Sequence, residues 1–251
     1  MNSNNQFKPA SRVAIDLLKS NGFEAFLIGG SVRDFIMELP IGDIDITTNA
    51  TPQQVKKVFH DFRVIETGIK HGTVTVLIDN EPLEITTYRN EGTYSDNRHP
   101  DEVTFSKSLK DDVIRRDFTM NAIAFDFSNS FCDLVGGIED IESKTIRCIG
   151  NAETRFCEDA LRILRALRFS SVLGFTIEEN TKNAIHKCKD LLNNISAERI
   201  REEFTKLICG KNVYNVLQEF SDVISVFIPE INPCVNFMQE NRHHCYDVYT
   251  H

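Results

Sequence analysis

The chain has 251 residues, 41% hydrophobic and 26% charged, with seven cysteines and a formal net charge of −9. That is enough for one large or two ordinary domains with real cores, and the composition predicts a soluble, globular protein. No run reaches the ~18 apolar residues of a membrane span, no signal peptide is visible at the N-terminus, and the odd cysteine count without CxxC argues against a disulfide framework or zinc site, so the thiols read as reduced and the location as cytoplasmic.

In chain order, the first element is an amphipathic helix with apolar positions Val13, Leu17 and Leu18. An apolar strand, Ala25 to Ile28, then ends in Gly29-Gly30-Ser31 and opens a short helix carrying Arg33 and Asp34. A glycine turn before a helix offers free backbone N–H groups and the positive end of the helix dipole, which suits a polyphosphate. The chain next enters Gly42-Asp43-Ile44-Asp45-Ile46. With strand alternation, Asp43 and Asp45 share one face and Ile44 and Ile46 the other. Two adjacent carboxylates repel unless a divalent cation sits between them, and together with the glycine turn they point to two-metal nucleotidyl transfer. Taken singly, Gly-Gly is a chain reversal and Asp-x-Asp an exposed strand face.

Thr51-Pro52-Gln53-Gln54 reads as a helix start with a capping box. Two alternating runs, Thr73 to Ile78 and Leu83 to Tyr88, are joined by a turn at Asp79-Asn80-Glu81-Pro82 and predict a hairpin. Glu84 lies on the polar face of the second run and completes a carboxylate cluster if that strand neighbours Asp43 and Asp45; otherwise it is a solvent-facing hairpin residue. A polar segment without periodicity, 89–100, predicts a long loop. Arg115-Arg116-Asp117-Phe118-Thr119-Met120-Asn121-Ala122 follows. Its arginines offer forks to phosphate or sugar oxygens, and Asp117 offers an acceptor to a ribose hydroxyl. The same octapeptide also reads as a helix cap.

From Asn151 the strand signals stop. Apolar residues recur at helical spacing through Ala160, Leu161, Ile163, Leu164, Leu167 and Phe169, and again through Ile200, Phe204, Leu207 and Ile208, with Ser196 as the cap of the later helix. Residues 141–211 carry 13 Lys/Arg against 10 Asp/Glu, while the remainder carries 15 against 27. That division suits an acidic, metal-centred head joined to a nucleic-acid-facing segment, and equally a solvated helical surface. In Glu158-Asp159-Ala160-Leu161-Arg162-Ile163-Leu164-Arg165, helical spacing places Asp159 and Arg162 on one face, which is a surface ion pair or a polar recognition element.

Jointly, LIGGSVRD with GDIDIT, TGIKHGTVTV, EITTYR, RRDFTMNAIAFD, DLVGG (Asp133 to Gly137), EDALRILRALRF and SAERIREE resemble, in order, the motifs of the class II tRNA nucleotidyltransferase (CCA-adding) and bacterial poly(A) polymerase family. The resemblance implies an α+β fold: a catalytic head over 1–150 with a small mixed, largely antiparallel sheet and flanking helices, an all-α neck over 151–211, and the start of a helical body, an HD-type region, over 212–251. It implies catalysis by Asp43, Asp45 and Glu84, with Mg²⁺ on Asp43 and Asp45. It assigns nucleotide contacts to Gly29, Gly30, Ser31, Arg33, Asp34, Arg115, Arg116, Asp117 and Asn121.

Base selection falls to Asp159 and Arg162, supported by Arg165, with Glu198 and Arg199 bracing the neck. A carboxylate acceptor beside a guanidinium donor matches the amine and ring nitrogen shared by cytosine and adenine; uracil and guanine leave those groups unpaired. The implied activity is template-independent addition of C, C and A to a tRNA 3′ end from CTP and ATP, the polar loop at 90–100 matching the element linked to the switch from C to A. The rivals are a poly(A) polymerase and a non-catalytic RNA-binding module. No membrane or protein partner is implied. Family chains usually continue beyond this length, and the terminal Asn241-Arg242-His243-His244-Cys245-Tyr246-Asp247 lacks the further ligands of an HD site, so no phosphohydrolase activity is expected of this chain.

Overall fold

Seven strands line up in one sheet in the computed structural model, which describes residues 7–92, 103–128, 130–238 and 246–250. The chain divides into two compact units that part between Ser143 and Lys144.

The first unit runs α1 (Pro9–Ser20), β1 (Ala25–Ile28), α2 (Gly30–Ile36), β2 (Asp45–Thr48), α3 (Pro52–Val58), β3 (Arg63–Ile65), β4 (Thr73–Ile78), β5 (Glu81–Thr87), β6 (Arg89–Glu91), β7 (Val103–Phe105), α4 (Leu109–Ile114), β8 (Ala124–Phe125), β9 (Phe131–Cys132) and α5 (Gly137–Glu142). The sheet order is β3-β4-β5-β2-β1-β8-β9, and every neighbouring pair is antiparallel except β2 with β5. The mixed, largely antiparallel sheet expected from the sequence is thus present. β6 and β7 pair separately. Of the loop expected at 89–100, Arg89–Glu91 is instead strand β6, held by its pairing with β7, and 93–100 lie outside the described residues.

The hairpin closes faster than the sequence implies. Asp79 and Asn80 both adopt positive φ, +52° and +64°, so two residues complete the reversal and β5 begins at Glu81 rather than Leu83. Alternation then buries Val74, Val76, Leu83 and Ile85. In α1 the buried face runs through Ala10, Ala14, Ile15 and Leu18, while Val13 is exposed, contrary to the sequence expectation. The small residues at 10, 11 and 14 bring the helix close to the sheet, which turns Val13 outward. The capping box forms as expected: the Thr51 hydroxyl accepts from the Gln54 N–H, and the Gln54 side chain accepts from the Thr51 N–H.

The second unit holds β10 (Thr145–Ile146), α6 (Ala152–Glu158), α7 (Leu161–Leu173), β11 (Thr176–Ile177), α8 (Glu179–Cys188), α9 (Ala197–Ile208), α10 (Val213–Glu219) and α11 (Ser221–Ile224). It is helical as expected apart from β10 and β11, which pair in parallel over two residues each and fasten the turn after Gly174. All six apolar positions read off α7 and its approach are buried. On α9 the buried positions are Glu203 and Leu207, with Ile208 46% exposed. Glu203 displaces an apolar residue there because Arg168 of α7 reaches to 2.6 Å from it. Ser196 stands at the start of α9, but its side chain makes no cap bond to the helix backbone. The six cysteines among the described residues are free thiols. No described helix is long and apolar enough to cross a membrane.

Candidate active site

The acids expected to act together meet at one end of the parallel strand pair. β2 and β5 lie in register with Asp45 opposite Glu84, and the Glu84 N–H donates to the Ile44 carbonyl at 3.4 Å. Asp43, however, precedes the strand rather than lying on it. The reason is on the other side of β2: β1 pairs Ile28 with Asp45 and then leaves the sheet at Gly29, so the residues before Asp45 lose that neighbour. Burial still alternates, with Ile44 and Ile46 in the core, Asp45 half-buried and Asp43 exposed. Burial pushes the Asp45 carboxyl up to about 6, Arg116 opposes the rise, and Glu84 and Asp43 add to it. The edge therefore carries negative charge that its single arginine does not balance. Among the described residues no three His, Cys, Asp or Glu side chains form a ready-made metal cage.

Gly29 makes room beside this edge. Its φ of +85° with ψ of −146° is open only to glycine, and a Cβ there would stand 3.2 Å from Asp45 Oδ2 and 3.7 Å from Arg116 Nη1. From Gly29 the chain enters α2, where the Ser31 hydroxyl donates back to the Ile28 carbonyl at 3.3 Å. Arg33 is buried and is committed to the protein's own frame: Nε and Nη2 donate to Asp34 Oδ1 at 2.9 and 2.7 Å, and Nη1 donates to Asn121 Oδ1 at 2.8 Å. Asn121 Nδ2 in turn donates to Asp117 Oδ1 at 3.2 Å, and the same oxygen accepts the Phe118 N–H at 2.8 Å. Four of the expected nucleotide-binding residues thus form one hydrogen-bonded chain that ties the glycine-turn helix to RRDFTMNA.

That second motif rests on a support built from DLVGG. The Asp133 carboxylate accepts the N–H groups of Val135, Gly137 and Ile138 at 3.2, 2.9 and 2.8 Å, capping α5. Gly137 passes so close that a Cβ would fall 2.3 Å from the Thr119 carbonyl oxygen. The Thr119 hydroxyl donates to buried Asp140 at 2.6 Å.

One residue that the sequence reading passed over organises the arginines. Asp112 on α4 is fully buried, and burial alone would raise its pKa, yet Arg116 and Arg115 more than offset this and hold the carboxyl below its ordinary range. Its Oδ1 accepts from Arg115 Nε and Nη2 at 2.9 and 2.6 Å; its Oδ2 accepts from Arg116 Nη2 at 3.1 Å and the Thr47 hydroxyl at 3.0 Å. The signal was available: an acid three and four residues before a pair of arginines is the spacing of helical ion pairs.

In the second unit, Asp159 is not on a helix. It has extended backbone, φ −137° and ψ 102°, in the break between α6 and α7. The side chain competes with helical continuation by accepting the Leu161 N–H at 3.1 Å, as short acids do at helix starts. Its other oxygen faces Arg199 of α9 at 3.4 Å. Arg162 is buried and donates through Nη1 to the Arg155 carbonyl at 3.0 Å and to Glu158 Oε2 at 2.7 Å. Arg165 lies 3.9 Å from Glu203 and over the Phe169 ring.

An α/β head with acids at the mouth of its one parallel strand pair, beside a glycine turn and an arginine pair, places the chain in the nucleotidyltransferase class. Residues 25–147 match the poly A polymerase head domain and residues 174–234 match the probable RNA and SrmB-binding site of polymerase A. The chain is 50% identical over 216 residues to the CCA-adding enzyme of Enterococcus faecalis, covering 86% of this chain and 52% of that one, and 50% identical over 214 residues to that of Bacillus cytotoxicus, covering 85% and 53%. Its fold superposes on the Bacillus stearothermophilus CCA-adding enzyme in complex with CTP with a TM-score of 0.79 at 42% identity, over 86% of this chain and 53% of that chain. The chain belongs to the tRNA nucleotidyltransferase and poly(A) polymerase family. It spans about half the length of the curated relatives it matches.

Proposed function

We propose that this chain carries the nucleotide-transfer site of a CCA-adding enzyme, which joins CMP, CMP and AMP to a tRNA 3′ end from CTP and ATP and releases pyrophosphate in the cytoplasm. The observation that carries the reading is the paired register of Asp45 and Glu84 at a strand mouth where charge is left uncompensated. A carboxyl pushed up to about 6 by burial and by two neighbouring acids is a group that gains from a cation. Hard carboxylate oxygens suit Mg²⁺, which binds through one or two protein carboxylates and completes its shell with water and substrate phosphate rather than a full protein cage. Asp43 and Asp45 would hold it. When bound, the ion would supply activation to a primer 3′-hydroxyl and charge neutralisation to the triphosphate.

The remaining roles belong to side chains. Glu84 raises the negative field at Asp45 and strengthens its hold on a cation. Arg116, beside Gly29 and Asp45, offers donors to the charge that develops on the phosphate and leaving group. Gly29 lets the triphosphate approach the backbone. Arg33, Asp34, Asn121 and Asp117 keep the two motifs in register, and Asp117 is the acceptor proposed for a ribose hydroxyl. Asp159 and Arg162 read the base edge, with Arg199 and Glu158 holding them in place.

The test is Mg²⁺-dependent incorporation of each of the four NTPs onto a tRNA acceptor minihelix lacking its CCA end, with the unaltered chain and with Asp43→Ala. Two CMP followed by one AMP, lost on substitution, is the expected result. AMP-only runs move the assignment to poly(A) polymerase. Metal-independent RNA binding with no incorporation and no NTP binding leaves an RNA-binding module and overturns the reading.

A further inference from the structure

We infer that Asp112, clamped by Arg115, is the positioning residue that aims Arg116 at the triphosphate side of the carboxylate edge, a role that rests on the nucleotide-transfer reading above. A fully buried carboxylate is costly unless its oxygens are satisfied, and here three side chains supply four donors to two oxygens. Those donors are not interchangeable. Arg115 is clamped by two bonds to Oδ1. Arg116 is held at one corner only, through Nη2.

The rest of the Arg116 guanidinium faces the site. Its Nη1 is the atom that a Gly29 Cβ would approach to 3.7 Å, and its Nε is buried without a partner among the described residues. With Nη2 held by Asp112, Nη1 beside the glycine turn is the donor placed to meet a phosphate oxygen in a single charge-assisted bond. The fourth donor fixes where this fork stands. Thr47 lies on β2 two residues beyond Asp45, on the same strand face, so the Asp112 carboxylate is referenced to the strand that carries the proposed metal ligand. Asp112 thereby couples the arginine fork to the acids without touching nucleotide itself.

The test combines Asp112→Asn, the double variant Arg115→Ala/Arg116→Ala, and the triple variant. It measures CTP and ATP affinity with Mg²⁺ by calorimetry, incorporation kinetics, and thermal melting. Asp112→Asn is expected to weaken nucleotide binding about tenfold, raising KM more than it lowers kcat, while the chain still melts cooperatively. Added to the double variant, the same substitution is expected to change affinity by less than about twofold, because its route is already removed. Factors that simply multiply would overturn the inference. Should Asp112→Asn not fold, the arginine Nε–H resonances of the unaltered protein decide: Arg115 protected from exchange before nucleotide is added, and Arg116 shifted and newly protected once Mg²⁺–CTP binds. An Arg116 signal indifferent to bound CTP overturns the inference alone. An unaltered chain that binds neither CTP nor ATP overturns the nucleotide reading together with it.

Discussion

The head and the helical unit differ in how fully they match their acids. In the helical unit three acids at least partly buried are matched: Glu158 holds Arg155 and Arg162 at 2.6 and 2.7 Å, Glu203 sits 2.6 Å from Arg168, and Asp222 meets Lys189 at 2.7 Å and His186 at 3.0 Å. Burial alone would raise the Asp222 pKa, but those two partners hold it below its ordinary range. In the head, Asp112 is matched in the same fashion, whereas Asp45 faces two further acids and one arginine and is pushed up to about 6. Matched acids hold a frame together. The unmatched acid marks where the frame expects a ligand, and the two kinds of site should respond to substitution with opposite signs.

The largest effect is expected at the unmatched acid. Asp45→Asn should reduce Mg²⁺-dependent incorporation by about a thousandfold or more, read from initial rates. The same substitution should stabilise the metal-free chain. The folded-state pKa of Asp45 lies above its unfolded value of 3.8, so the folded protein holds extra protons between there and about 6. By linkage its stability falls as pH rises through that window and stays lowered above it. Asp45→Asn is therefore expected to melt higher than the unaltered chain at neutral pH, by the equivalent of about 1–3 kcal/mol, with the difference vanishing below pH ~4. Added Mg²⁺ should raise the melting temperature of the unaltered chain and leave that of the variant. A variant that melts lower at every pH would break the comparison.

At a matched site the sign reverses. Arg162→Ala removes one cation from Glu158 and the side-chain donor from the Arg155 carbonyl, which keeps the Asp159 N–H, and is expected to cost about 1–3 kcal/mol by denaturant titration. It should also narrow the preference for CTP over UTP in competition assays. Thr51→Ala removes a capping box remote from the acids and is expected to cost about 1 kcal/mol while leaving nucleotide affinity in place. Smallest is Lys56→Ala at the exposed Lys56–Glu66 pair, where a change within about 0.5 kcal/mol sets the baseline against which the others are judged.

Much of this arrangement was legible in residue order because it depends on local rules. Strand alternation placed Ile44 and Ile46 in the core and left Asp43 and Asp45 outside it, and Thr51 with Gln54 announced a helix start that formed as read. The periodicity of α7 picked its buried residues. What residue order could not supply was the identity of each neighbour. The parallel register that sets Glu84 beside Asp45 joins strands nearly forty residues apart, and no local signal encodes it. Asp159 belongs to a helical pattern by spacing, yet Leu161 and Arg199 draw it into a break, since short side chains compete with the backbone for hydrogen bonds. Glu203 is buried on α9, where Arg168 stands across the seam, a pairing that no local pattern encodes. By itself, then, the sequence determined most of the elements, the acid pair and the family, because periodicity, caps and ordered motifs act within short stretches of chain. Only the tertiary structure decided which charges are balanced, because electrostatic compensation depends on distance in space between residues that the chain keeps far apart.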